Sequence, residues 1–289
     1  MDVVSENLTF TYGKGSKTLS YKALDNITLT VKEGEFLGII GKTGSGKSTF
    51  VQHLNGLIRV QKNSGTIFIG DFDLSDKKCD LRALRAKIGM MFQYPEHQLF
   101  AETVQDDVAF ALKNFEPNLS DEERRARVSD ALALTGLDPE KIKDVSPFDL
   151  SGGQKRRVAI AGVLVAKPEI LILDEPAAGL DPQGKRDFLE LLVKIHGTFA
   201  KTVIIVSHDM DLVAEYCSSV AVIDGGRIAA HGTPEEVFGN ADAVRDCGLD
   251  LPLTARIKET LKARGMEISG GLAAESFVEG VIQTLKGGR

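Results

Sequence analysis

Cysteine is scarce: three occur in 289 residues, at 79, 217 and 247. The number is odd, the spacings are wide and no CxxC pair occurs. That argues against a disulfide framework or a zinc site and fits a reducing cytosol. A basic excess is lacking as well. The formal net charge is −6, so the sequence gives no reason to expect a broadly basic face for nucleic acid. No apolar run is long: the most apolar stretch, residues 158–166, falls far short of the roughly 20 residues that cross a bilayer. Residues 1–6 lack the basic region and apolar run of a signal peptide. Any membrane role is therefore expected to come through a partner. What is present, 43% apolar residues among mixed charges, suits a globular chain with one substantial core and room for a smaller appendage.

Hydropathy alternates over 8–12 and 27–31, and 36–40 is a continuous apolar run entering a glycine-rich turn. All three are expected strands, with others at 66–69 and 88–92. Residues 13–21 read as a polar loop. Helical periodicity at 103–112 and 121–135, a capping box of Ser120 with Glu123, and a stop at Gly136 predict a helical insert over about 95–155. Beyond it, expected strands at 170–173 and 203–206 alternate with helices at 154–165 and 183–195. A short helix follows Asp209, and Asp224-Gly225-Gly226 signals a hairpin between 220–223 and 227–230. The alternation predicts an α/β fold with an antiparallel β portion at the front. After Asn240 the pattern is helical only. Leu253, Ile257 and Leu261 share one face, as do Phe277, Val278, Val281, Ile282 and Leu285. Residues 1–240 are thus expected as one domain, and 241–289 as a small helical appendage offering a dimer contact.

Gly41-Lys42-Thr43-Gly44-Ser45-Gly46-Lys47-Ser48-Thr49 follows the strand at 36–40 and opens a helix. In that context GxxxxGK[ST] binds phosphate. Glycines let backbone N–H groups converge on phosphate oxygens, helped by the positive end of the helix. Lys47 is placed to reach β- and γ-phosphates and Ser48 to offer its hydroxyl to Mg²⁺, so ATP and Mg²⁺ are the expected ligands. The apolar run 170–173 ends in Asp174-Glu175. Two carboxylates ending a buried strand are costly unless they meet a cation or water at the sheet's edge. Asp174 is expected to hold Mg²⁺, and Glu175 to polarise the attacking water as general base.

Leu150-Ser151-Gly152-Gly153-Gln154 lies just upstream of that pair and resembles the signature of the ABC ATPase family. Physically, a Ser-Gly-Gly turn opening a helix is a second anion cradle. The resemblance spans residue 1 to about 240 and implies a P-loop NTPase core working as a head-to-tail dimer. It places Ser151, Gly152, Gly153 and Gln154 at the nucleotide, with Ser151 and Gly153 on the γ-phosphate of ATP held by the partner's phosphate loop. It further implies that Tyr12 stacks on adenine, that Gln93 senses Mg²⁺ and water, and that His208 meets the γ-phosphate. Asp181, in Ala178-Gly179-Leu180-Asp181, would link the two sites while capping the helix after Pro182. Ala178 stands where many relatives have Ser.

Residues 92–100, Phe-Gln-Tyr-Pro-Glu-His-Gln-Leu-Phe, resemble energy-coupling factor transporter ATPases, the cobalt- and vitamin-uptake group. Leu251-Pro252-Leu253 and Arg256 also look like that group. The resemblance implies an ATPase on the cytoplasmic face of the cell membrane, energising uptake of vitamins or transition-metal ions. Its partners would be a second ATPase subunit (a paralogue, or a second copy), an integral membrane coupling subunit and a substrate-binding membrane subunit. No nucleic acid is expected. The composition of 94–100 suggests Leu99 and Phe100 as apolar anchors in a groove rimmed by Glu96, His97 and Gln98; the alternative is that both tuck into this chain's own helical lobe. The alternative readings are a conventional ABC importer ATPase and a soluble ABC ATPase acting on nucleic acid or ribosomes. The acidic balance and the shortness of 120–135, too short for a coiled-coil arm, argue against the latter.

Overall fold

The computed structural model describes residues 1–13, 20–196, 198 and 200–287. Most of the polar loop read at 13–21 therefore lies outside the described residues. The chain opens with β1 (Val3–Tyr12) and β2 (Tyr21–Val31), followed by β3 (Phe36–Ile40), α1 (Lys47–Leu54), β4 (Thr66–Ile69) and β5 (Phe72–Asp73). β1 is longer than its alternation suggests. Val3 and Ser5 face inward, then Leu8 and Phe10, so the inward phase slips from odd to even positions. The slip is a bulge at Asn7, whose φ of 52° is one that asparagine tolerates well.

Next come α2 (Leu81–Lys87), unforeseen in the sequence, and β6 (Ile88–Met91). A 3₁₀ turn at Pro95–Gln98 leads into α3 (Val104–Phe115), α4 (Asp121–Leu134), α5 (Pro139–Ile142) and α6 (Gly152–Leu164). The capping box of Ser120 and Glu123 starts α4, and Gly136 follows its end at φ 74°. The lobe has its own apolar centre, in which Val108, Leu112, Leu132 and Val158 are fully or almost fully buried.

The remainder alternates: β7 (Ile170–Asp174), α7 (Pro182–Ile195), β8 (Thr202–Val206), α8 (Met210–Tyr216), β9 (Ser219–Asp224), β10 (Arg227–Gly232) and α9 (Pro234–Gly239). Then come α10 (Ala241–Asp246), α11 (Leu253–Ala263) and α12 (Ala274–Gly287). Six strands form one sheet in the order β10-β9-β3-β8-β7-β6, parallel except at β10. A second, antiparallel sheet runs β2-β1-β4-β5. The continuous apolar runs of the parallel strands are explained by burial on both faces. In β3, Leu37 and Ile39 pack toward α1 and the antiparallel sheet, whereas Phe36 and Ile40 pack with residues of α7 and α8.

The carboxy-terminal helices share the second of these cores. Leu251, Ala255 and Leu272 join the cluster that holds Phe36 and Leu171. The apolar stripes read there are largely solvent-facing: Leu253, Val278, Ile282 and Leu285 are exposed, and Phe277 is buried. Ala255, too small to signal a face, makes the contact in α11. No helix among the described residues is long and apolar enough to cross a membrane.

Candidate nucleotide site

Because β3, β8, β7 and β6 are consecutive in the sheet and parallel, their carboxyl ends bring four sequence-distant segments to one edge. The loop after β3 is built on positive-φ glycines at 41, 44 and 46. A Cβ on Gly41 would stand 2.2 Å from the Ile223 carbonyl oxygen, and one on Gly46 2.5 Å from that of Ala23. Only glycine permits this close wrapping. A Cβ on Gly44 would meet nothing within 4 Å among the described residues. Gly46 caps α1 without a side-chain bond, leaving the first amides of the helix to serve an anion.

Lys47 is buried, its Nζ donating to the carbonyls of Gly41 at 2.6 Å and Lys42 at 2.9 Å. Burial lowers its pKa from the ordinary lysine value, while the charges of Glu175 and Asp174 oppose that shift. Lys42 contributes its carbonyl here. Its own side chain lies away from the cleft against Gly248, where a Cβ would fall 1.9 Å from its Cε. Gly41 and Ser45 shape the loop from behind, and Thr43, Gly44, Gly46, Lys47, Ser48 and Thr49 line a cleft of about 490 Å³.

Asp174, Glu175, Gln93 and His208 line the same cleft. Burial raises the pKa of Asp174, against the opposing effects of a hydrogen bond with Ser48 and the Lys47 charge. Asp174 Oδ1 is buried and has no hydrogen-bond partner among the described residues. An unmet carboxylate oxygen beside a serine hydroxyl fits a hard divalent cation. No cluster of three or more His, Cys, Asp or Glu suited to a metal occurs among the described residues.

Glu175 holds a left-handed backbone, φ 51°, with its N–H donating to the Val206 carbonyl at 3.0 Å. A non-glycine residue in that region costs on the order of 1 kcal/mol or more. The bend turns its carboxylate to His208, Nδ1 to Oε2 2.7 Å. Asp209, beside His208, caps α8 through the Leu212 amide and pairs with Lys185 of α7. Burial pushes the Asp209 carboxyl up, but Lys185 and the Leu212 amide outweigh it and hold it below its usual value.

Tyr12 does not line the cleft; its hydroxyl is 3.3 Å from that of Thr49 at the rim. Tyr21, which the sequence did not single out, lines it and donates to the Gly44 carbonyl at 2.7 Å. It follows a polar loop and carries no motif signal. The signature segment lies elsewhere. Ser151 and Gln154 close a capping box on α6, and Cβ atoms on Gly152 and Gly153 would meet nothing within 4 Å among the described residues. Asp181 caps α7 by accepting from Gly184 N at 2.7 Å. Leu99 departs from expectation: it is buried in the helical lobe, because the turn at 95–98 rolls it inward and leaves Phe100 outside. Glu96 also turns inward, to Arg156.

A phosphate loop after a central parallel strand, with an Asp-Glu pair ending a nearby strand, defines a P-loop nucleotide hydrolase. The ABC transporter family model matches residues 24–178, more than half of the chain. The sequence is 47% identical over 294 residues, 99% of each chain, to the energy-coupling factor transporter ATP-binding protein EcfA2 of Symbiobacterium thermophilum. Against the protein of the same name from Clostridium acetobutylicum it is 44% identical, covering 99% of this chain and all of that one. The cbiO1 structure from Clostridium perfringens, described as part of the ABC transporter complex cbiONQ, matches with TM-score 0.71 and 40% identity over 89% of this chain and 98% of that one. A dimeric ATP-binding cassette, MJ0796 with ADP and Pi, matches with TM-score 0.71 and 32% identity over 80% and 98%. The chain belongs to the ABC transporter family, among its energy-coupling factor transporter ATP-binding proteins.

Proposed function

We propose that this ATPase binds Mg²⁺-ATP between two subunits and hydrolyses it to drive uptake of vitamins or transition-metal ions at the cytoplasmic face of the membrane. The observation that carries this reading is the division of labour within one chain. Lys47, Ser48, Asp174, Glu175, Gln93 and His208 surround one cleft, while the anion cradle at 151–153 opens outward with no phosphate loop of its own to serve. A second ATPase subunit, a paralogue or a copy, would supply the missing partner loop.

The amides of residues 43–49 would hold the phosphates, with Lys47 leaving its two carbonyls to reach the β- and γ-phosphates. Ser48 and Asp174 would hold Mg²⁺, with Gln93 at its water shell. When bound, the ion supplies positive charge against the phosphate oxygens. Glu175 would accept the proton of the attacking water. His208 would orient that carboxylate and approach the γ-phosphate. Tyr12 would meet adenine from the rim, and Asp181 would communicate between the paired sites.

The exposed Phe100 supports a contact with an integral membrane coupling subunit. The exposed row of Val278, Ile282 and Leu285 supports a contact with the second ATPase. A substrate-binding membrane subunit would provide cargo choice. The test is phosphate release by the purified chain across a range of protein concentrations. Activity per chain should rise with concentration and saturate as composite sites form. A strictly monomeric preparation with full activity would defeat the two-subunit reading.

A further inference from the structure

Arg156 has no part in the roles above. It lies on α6, five residues after Ser151, and its side chain is only 6% exposed. A cation so far from water must be paired to be tolerated. Its Nε donates to Glu96 at 3.1 Å, and its Nη2 donates both to Glu96 at 3.4 Å and to the Ala178 carbonyl at 2.9 Å. Three segments therefore meet on one guanidinium. They are the Pro95–Gln98 turn after Gln93, the helix that presents the signature, and the loop from Glu175 to Asp181. The first and third segments also lie close together: the Tyr94 ring stands 3.7 Å from where a Cβ on Gly179 would lie. A guanidinium is planar and its bonds directional, so it fixes the separation of what it holds, as a lysine would not.

We propose that Arg156 is a positioning residue that makes these three segments move as one body. Closure of the signature helix on the partner's nucleotide is thereby carried to the turn that meets the membrane subunit. This rests on the membrane-coupled reading above. A mere fastening of the fold would give a different outcome on mutation: stability, hydrolysis and uptake would fall together.

The experiment uses the complete complex in lipid vesicles, with uptake and phosphate release followed in the same preparation. Three changes are compared: Arg156→Lys, Glu96→Gln, and the apolar pair Arg156→Met with Glu96→Leu. Glu96→Gln keeps the shape and the Ala178 bond, so it provides a folded test where the others fail to assemble. The Michaelis constant for ATP should stay unchanged and phosphate release stay within about threefold, while uptake per phosphate released falls about tenfold. An unchanged ratio of uptake to hydrolysis in the assembled variants would overturn the proposal, whether both rates fall or neither does. A wild-type complex that hydrolyses ATP without any uptake would instead defeat the reading on which it rests.

Discussion

Nδ1 of His208 stands 2.7 Å from Oε2 of Glu175, although 33 positions separate them in the chain. They meet because β7 and β8 are neighbours in register, Asp174 opposite Val206, and because Glu175 bends back through a left-handed backbone. The imidazole holds the carboxylate in one orientation toward the cleft.

Glu175→Gln preserves that shape and removes the proposed base. ATP affinity should be nearly unchanged, a closed dimer should accumulate, and turnover should fall by about 10²-fold or more. His208→Ala keeps the Glu175 carboxylate but frees it, so a smaller loss is expected. Nucleotide titration alongside single-turnover phosphate release separates binding from chemistry. Near-normal turnover in Glu175→Gln would remove it from the general-base role.

Lys47 is proposed to act on binding instead. With ligand at about 100 times its dissociation constant, a bound site stabilises the fold by about 2.7 kcal/mol. In Lys47→Met, thermal melting with and without Mg²⁺-ATP at the wild-type ligand concentration should show less than about 1 kcal/mol of that gain. A full shift in the variant would contradict its place in the phosphate cradle.

Leu99 and Phe100 are adjacent and face opposite environments. Leu99→Ala should cost about 2–5 kcal/mol of stability, because it opens a cavity in the lobe. Phe100 is 59% exposed and meets Phe110 edge-on at 4.9 Å. Phe100→Ala should change the melting point little, yet weaken affinity for the reconstituted membrane subunit by about 2 kcal/mol or more. A melting curve of the isolated chain beside a partner titration distinguishes the two.

His53 supplies a pH dependence. It is fully buried, bonded at Nδ1 to the Thr49 carbonyl at 2.7 Å and packed edge-on to Phe10. The carbonyl can only accept, so Nδ1 carries the proton, while Nε2 has no partner among the described residues. Burial depresses the pKa from 6.5, against the opposing Thr49 bond. The folded pKa lies below the unfolded one, so the neutral ring's stabilisation is full above about pH 6.5 and is lost as pH falls. From this site alone, the loss approaches about 1.4 kcal/mol per pH unit until the folded value is reached. Denaturant midpoints at about pH 7.5 and about pH 5 should differ less in His53→Leu than in the wild type. An equal difference would assign the effect elsewhere.

The parts of the site legible in sequence are those whose chemistry is local. A glycine loop after an apolar strand, or a carboxylate pair at a strand end, carries its meaning within a few residues. The bulge at Asn7 defeats alternation because it reverses the phase in the middle of β1. α2 is short, with only Leu84 buried, so it leaves almost no periodic trace. In the irregular segment 94–100 no period exists to say which of two neighbouring apolar residues turns inward. The pairing of Glu96 with Arg156 spans 60 positions, and only the assembled lobe brings them together.

The tail after residue 240 has a consequence for how such a chain could shrink in evolution. Leu251, Ala255 and Leu272 belong to the cluster that also holds Phe36, Val213 and Phe238, so these helices form part of the wall of the ATPase. A gene that lost its 3′ end would encode a protein with an open flank, its central apolar residues wetted and Lys42 deprived of the surface at Gly248. Cutting this chain after residue 240 is therefore expected to lower its stability. A cassette built without such a tail would need its own apolar cover over the equivalent flank.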